Sequence, residues 1–237
     1  MSKEVYMSFW DHLDEFRSRL LIIVFTIFMG SVAGYLLSEK VIQFLILPSN
    51  SLNVSFQVIT VTSMFMIKLL VCFFIGLLIG FPVFIYQLIQ FILPAFEIRL
   101  KGLILLSILS SMCFFAGICF AYFIIIPFLL TFLTSITFDS VDVKYNFTLG
   151  SYLSYTLWTM LINGLIFQMP IISLIGSKVG ILTPPFLIHY RRHCFIVFLI
   201  ISALITPPDP LSQILICIPF VFLYELSIII AKIFTKK

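Results

Sequence analysis

The feature that most constrains this chain is a set of long stretches with no charged residue. They run from Leu20 to Leu37 and over residues 69–96, 103–138 and 145–177. Each meets the length of ~20 residues that a helix needs to cross ~30 Å of hydrocarbon. The runs are continuously apolar rather than alternating, which selects helices over the strands of a barrel. With 62% hydrophobic and only 10% charged residues, the chain has too much apolar surface for a water-soluble fold.

The charges sort the connections. Of the 14 basic residues, all but Lys40, Lys68 and Lys144 lie before the first apolar stretch, in every second connection, or after the last. Lys3, Arg17 and Arg19 come first, then Arg99 and Lys101, then Lys178, Arg191 and Arg192, and finally Lys232, Lys236 and Lys237. The excess of Lys and Arg on cytosolic connections places both termini on the cytosolic (or matrix) side and requires an even span count. The net charge of +4 therefore reports topology and not nucleic-acid binding.

These patterns predict an all-α integral membrane protein, a single membrane domain over 1–237. Its six transmembrane helices are expected near 20–38, 63–93, 102–127, 150–176, 194–206 and 211–231. The fifth stretch is cut short between Arg191-Arg192-His193 and Thr206-Pro207-Pro208-Asp209. Helices five and six are expected as a short hairpin that thins the bilayer or sits partly inside protein.

No cysteine pattern suggests a disulfide framework or a metal site. No Gly-rich phosphate loop, Ser/His/Asp arrangement or ATP-binding signature is present, so no cofactor and no catalytic residue is expected, and any energy must come from a gradient or a partner. Residues 1–19 hold four acids, Glu4, Asp11, Asp14 and Glu15, and no apolar core with a cleavage site, so the first apolar helix is expected to direct insertion. The 28 Phe residues far outnumber Ala, as in an AT-rich coding sequence. That bias suggests a mitochondrial inner membrane, with a bacterial plasma membrane or a thylakoid as alternatives.

Chemistry is confined to a few polar positions. In Asp11-His12-Leu13-Asp14-Glu15-Phe16-Arg17-Ser18-Arg19-Leu20, the residues Phe9, Leu13, Phe16 and Leu20 share a stripe. The segment is therefore expected to lie along the interface before turning in as helix one, with Glu15 toward the cytosol. Glu15 either forms an i to i+4 salt bridge with Arg19 or offers its carboxylate to a cation. The turn Phe91-Ile92-Leu93-Pro94-Ala95-Phe96-Glu97 ends helix two at Pro94 and brings Glu97 out on the same face; a solvated loop carboxylate is the plain reading of Glu97. Within the spans stand Gln87, Gln90, Asn163, Gln168 and Glu225. The amides read as hydrogen-bond glue between helices, and Glu225 reads as a functional candidate. Lys68 is placed to snorkel. In Thr206-Pro207-Pro208-Asp209-Pro210-Leu211-Ser212-Gln213, Asp209 is placed to cap the last helix, with Pro210 at its first position.

Taken together, these segments resemble the TatC family, the multi-span core of the twin-arginine protein translocase, over nearly the whole chain. The matching pieces are HLDEFRSRL at 12–20, the outer loop with Pro48, FPVFIYQLIQFILPAF at 81–96, AYFIIIP at 121–127, SYLSY at 151–155, YRRH at 190–193, TPPDPLSQ at 206–213 and IPFVFLYE ending at Glu225. The resemblance implies a receptor for signal peptides bearing paired arginines, in a complex that exports folded proteins on the protonmotive force. It assigns the arginine contact to Glu15, with Glu97, Asp14, Arg17 and Phe91 around it. It implies small single-span TatA/TatB-type partners contacting Gln168, Asn163, Glu225 and Gln213, and a homo-oligomer within a larger complex. Pro48, Pro94, Pro207, Pro208 and Asp209 fall at structural turns. Two departures stand out: Leu100 occupies the place of the family's second glutamate, three residues after Glu97, and Gln168 occupies a place often held by glutamate. The competing class is a membrane subunit of a respiratory complex or a small proton-coupled transporter, with Glu225 as a proton relay.

Overall fold

A computed structural model describes residues 9–49, 55–60, 62–92, 100–135, 146–205 and 210–234. It is a helical bundle. Helix α1 spans Phe9–Ile46, α2 Ser63–Ile92, α3 Leu100–Phe120, α4 Ile126–Ser135, α5 Leu149–Ile166, α6 Met169–Val179, α7 Pro184–His189, α8 Arg191–Ile205 and α9 Pro210–Phe234. A wide turn over Ala121–Ile125 joins α3 to α4 as one rod, ahead of Pro127, which has no N–H to continue the regular ladder. The rod of α5 and α6 breaks at Phe167 and Gln168, where Pro170 opens α6 and leaves the Ile166 carbonyl without its helical donor. α6 ends at Gly180, whose φ of 83° is left-handed, and the N–H groups of Ile181 and Leu182 both close onto the Gly176 carbonyl.

Among the described residues, five lengths of helix are long and apolar enough to cross a membrane: His12–Ser49, Ser63–Phe91, Lys101–Ser135, Leu149–Val179 and Ser212–Phe234. The short hairpin expected at the end of the chain is only half realised. α8, at 15 residues, is short, but α9 runs for 25 because Pro219 is absorbed inside it and the helix continues past Ala231. The expected turn between an interfacial segment and helix one is also absent. α1 is one helix of 38 residues, since Glu15 and Arg19 bond along the axis and no proline interrupts them. Leu13, Phe16 and Leu20 are exposed on its flank.

A small departure from an all-α fold is a two-stranded parallel ribbon. β1 (Ser55–Gln57) pairs with β2 (Asn146–Thr148), Phe56 opposite Phe147. It ties the connection after α1 to the one after α4, so both lie at one end of the bundle. At that end the last turn of α1 has carbonyls without helical donors. Tyr122 donates to the Phe44 carbonyl at 2.6 Å and Tyr152 to the Leu45 carbonyl at 2.9 Å, fastening the third and fourth rods to the first.

The interior falls into two apolar clusters. One, around Val71, Phe81, Phe114 and Leu153, joins α1, α2, α3 and α5; the other, around Leu129, Phe198, Phe220 and Ile228, gathers α4, α8 and α9. Glycine sets the closeness of the first. Gly30 of α1 faces Gly76 of α2, where a Cβ on Gly76 would stand 2.5 Å from the Ile27 carbonyl oxygen. Gly34 and Gly80, four residues further along each helix, lie in the same crossing, the small-residue pattern by which membrane helices approach. Gly117 of α3 meets the backbone of Asn163 and Gly164 of α5 in the same way.

Candidate functional site

The end of the bundle opposite the ribbon carries the start of α1 and the end of α2, and here the charged segment of α1 meets the aromatic end of α2. Residues 12, 15 and 19 fall on one helical face and point to α2. Arg19 donates twice to Glu15 Oε1, from Nε at 2.9 Å and from Nη2 at 2.5 Å. Its Nη1 reaches across to Gln87 Oε1 on α2, also at 2.9 Å. The local salt bridge is thus formed, and it is extended into an interhelical chain.

This leaves the second carboxylate oxygen. Among the described residues, Glu15 Oε2 meets only His12 Nδ1, at 3.8 Å, too far for a hydrogen bond. His12 is itself stacked on Phe91, with ring centroids 4.4 Å apart and planes 15° from parallel, and Phe16 flanks Phe91 at 5.5 Å. The Glu15 side chain keeps 22% of its surface exposed. The result is a carboxylate with one oxygen held by an internal guanidinium and the other presented beside an aromatic corner. An ionised carboxylate has about four acceptor positions, so it can take a second guanidinium without releasing the first.

Of the residues expected around Glu15, Phe91 is brought to it; Asp14 and Arg17 lie on the exposed side of α1. Glu97 and Pro94 lie outside the described residues, as do Pro207, Pro208 and Asp209. His12 was not among the expected site residues. Its signal was in the sequence, three residues before Glu15 and so on the same face.

The polar residues of the spans turn inward. Gln168 is buried and makes a two-point clamp on α3: it accepts from the Ser110 hydroxyl, and its Nε2 donates to the Ser110 carbonyl at 3.1 Å. Asn163 is fully buried and donates to the Thr159 carbonyl at 2.8 Å. Both side chains are buried inside the bundle; Gln168 joins α6 to α3, whereas the Asn163 bond stays within α5 and its Oδ1 has no hydrogen-bond partner among the described residues. Gln213 donates to the Leu199 carbonyl at 2.8 Å, joining α9 to α8.

Glu225, the ionisable candidate within the last span, has a basic partner. Arg191 Nη2 lies 2.8 Å from its Oε2, and both side chains are nearly half exposed, because α8 is short enough to start beside it. Lys68 bonds Glu39 at 3.1 Å and sits over the Tyr35 ring instead of simply snorkelling. Pro48 lies in the turn Leu47–Ser49 that closes α1. Among the described residues no three His, Cys, Asp or Glu side chains gather as a metal site, and all five cysteines are free.

Residues 11–219 match the model of a family described as Sec-independent protein translocase protein (TatC). The chain is 32% identical to the Sec-independent protein translocase protein TatCy of Bacillus subtilis over 98% of its length and 91% of that protein's. It is 33% identical to the TatC protein of Listeria innocua over 99% and 95%. Among solved structures it is similar to a crystal structure titled as the twin-arginine translocase receptor TatC, with a TM-score of 0.86, 31% identity, and coverage of 95% of this chain and all of that one.

Proposed function

Because this chain belongs to the TatC family of Sec-independent protein translocase proteins, we propose that it receives signal peptides bearing paired arginines at the Glu15 end of its bundle. As a member of that family it is a subunit of the twin-arginine translocase and not an enzyme. The observation that carries the proposal is the half-occupied carboxylate. Arg19 holds Oε1 and fixes the rotamer through Gln87, while Oε2 stays within reach of a guest. A guanidinium arriving there also gains a face of the His12–Phe91 stack, which suits its planar cation. Glu97 takes the second arginine, three residues before the place where the family carries a glutamate, with Asp14 and Arg17 at the rim.

Six spans, with α8 as the short fifth, put both termini on the cytosolic side, as the basic connections require. At ~22 Å, α8 falls short of the ~30 Å hydrocarbon, so the bilayer thins beside it and eases the passage of folded cargo driven by the protonmotive force. Small single-span subunits of the TatA/TatB type assemble on the exposed apolar flanks, in a complex with further copies of this chain. The named relatives are bacterial, so a bacterial plasma membrane is the reading carried forward; the mitochondrial inner membrane expected from the Phe-rich composition has no support in them. The respiratory or transporter alternative is set aside, since the relatives are translocase proteins and Glu225 is neutralised by Arg191.

The test is capture of a twin-arginine signal peptide by photocrosslinking to the purified chain in nanodiscs. Glu15→Ala and Glu97→Ala are expected to lower capture, the first more than the second. Unchanged capture by Glu15→Ala removes the proposed role.

A further inference from the structure

Beside the short helix α8 lies a pocket of about 430 Å3 whose lining divides by chemistry. Arg191 and Arg192 form its rim, Phe195, Ile196 and Val221 make an apolar wall, and Glu225 closes one side. Arg191 is held in place by Glu225, yet a guanidinium has five N–H donors and this contact uses one. Arg192 is exposed and, among the described residues, makes no ion pair or hydrogen bond. Two guanidinium groups against one carboxylate leave the rim with a net positive charge.

Position sharpens the chemistry. The rim lies beside Glu225, more than two helical turns short of Phe234 at the end of α9, so it is recessed relative to its neighbour. Phe195 and Ile196 remain 48% and 56% exposed. Water standing against that wall would hydrate apolar surface where the helix is too short to reach the headgroup level. An occupant with an anionic oxygen head and a hydrocarbon tail satisfies both parts of the lining. We propose that this pocket binds an anionic phospholipid, its phosphate on Arg191 and Arg192 and an acyl chain along Phe195, Ile196 and Val221.

The experiment is native mass spectrometry of the full chain in mild detergent, incubated with phosphatidylglycerol, with zwitterionic phosphatidylcholine, or with inorganic phosphate alone. The expected result is retention of phosphatidylglycerol over phosphatidylcholine, undisturbed by millimolar phosphate. Arg192→Gln should lower that retention about fivefold, the weight of one basic residue at an anionic lipid surface, and Arg192→Lys should restore it. Melting temperatures of both variants should match the parent. Equal retention of the two lipids by the parent chain, or unchanged retention by Arg192→Gln, overturns the proposal. Displacement by inorganic phosphate reassigns the rim to free anions and also overturns it. If Arg192→Gln keeps the lipid but loses a co-purifying subunit, the pocket is a protein contact instead.

Discussion

Replacing Gly76 by alanine tests the α1–α2 crossing on which the Glu15 site depends. The new Cβ would lie 2.5 Å from the Ile27 carbonyl oxygen and 2.8 Å from the Ser31 amide nitrogen. Both are backbone atoms of α1, so no side chain can rotate out of the way. Relief to an ordinary contact requires α1 to move by nearly 1 Å, which opens the Gly30–Gly76 contact and the apolar cluster behind it. Overpacking of this kind costs ~1–3 kcal/mol. Taking ~2 kcal/mol, the melting temperature of a domain this size falls by about 4–8 °C. Gly150→Ala is the control, since its Cβ would meet only the Ile67 side chain, at an ordinary 3.7 Å from Cδ1 and 3.8 Å from Cγ1. Gly76 lies inside α2 and Gly150 is the second residue of α5, so alanine gains at least as much helix propensity at Gly76, and a lower melting temperature there reports the collision. Circular dichroism of helicity against temperature, in one detergent, is the assay. A Gly76→Ala protein that melts no lower than Gly150→Ala would refute the close crossing.

Two further substitutions separate structural from functional polar groups. Gln168→Ala removes the two-point clamp on Ser110 and should cost ~1–2 kcal/mol of stability, read as a lower melting temperature, while signal-peptide capture in the cold stays at the parent level. Glu225→Gln breaks an exposed ion pair, so it should change stability by less than ~1 kcal/mol. It should leave protonmotive-force-driven export intact in inverted vesicles, whereas loss of export would revive a proton-relay role.

What could be read from the residues divides along the range of the interactions. The apolar runs located the helices because membrane insertion depends on a local sum of hydrophobicity. The Glu15–Arg19 pair was legible for the same reason, being one turn apart on one helix. Its continuation to Gln87 was not, since nothing in either segment alone encodes which turn of α2 faces Arg19. The pairing of Glu225 with Arg191 was not legible on the same ground, since the two residues stand on different helices. Gly30, Gly34, Gly76 and Gly80 carry a visible spacing of four in two neighbouring helices, a signal of close approach that charge and hydropathy patterns do not contain. The turn expected between the interfacial segment and helix one is replaced by continuous helix, since Glu15 and Arg19 bond along the axis across that point and no proline or glycine breaks it between Phe9 and Phe28.

The measurement closest to the centre of the account is the affinity of a fluorescent twin-arginine signal peptide for the chain in nanodiscs, compared between Glu15 and Glu15→Gln. The glutamine keeps the shape and an acceptor but removes the charge, so the account predicts weakening by tenfold or more, as befits a charge-assisted contact of ~1.5–3 kcal/mol. A twin-lysine peptide should lose most of its affinity for the parent chain but little more for the variant. Equal binding of the twin-arginine peptide by both proteins would contradict the assignment of Glu15 as the arginine receptor.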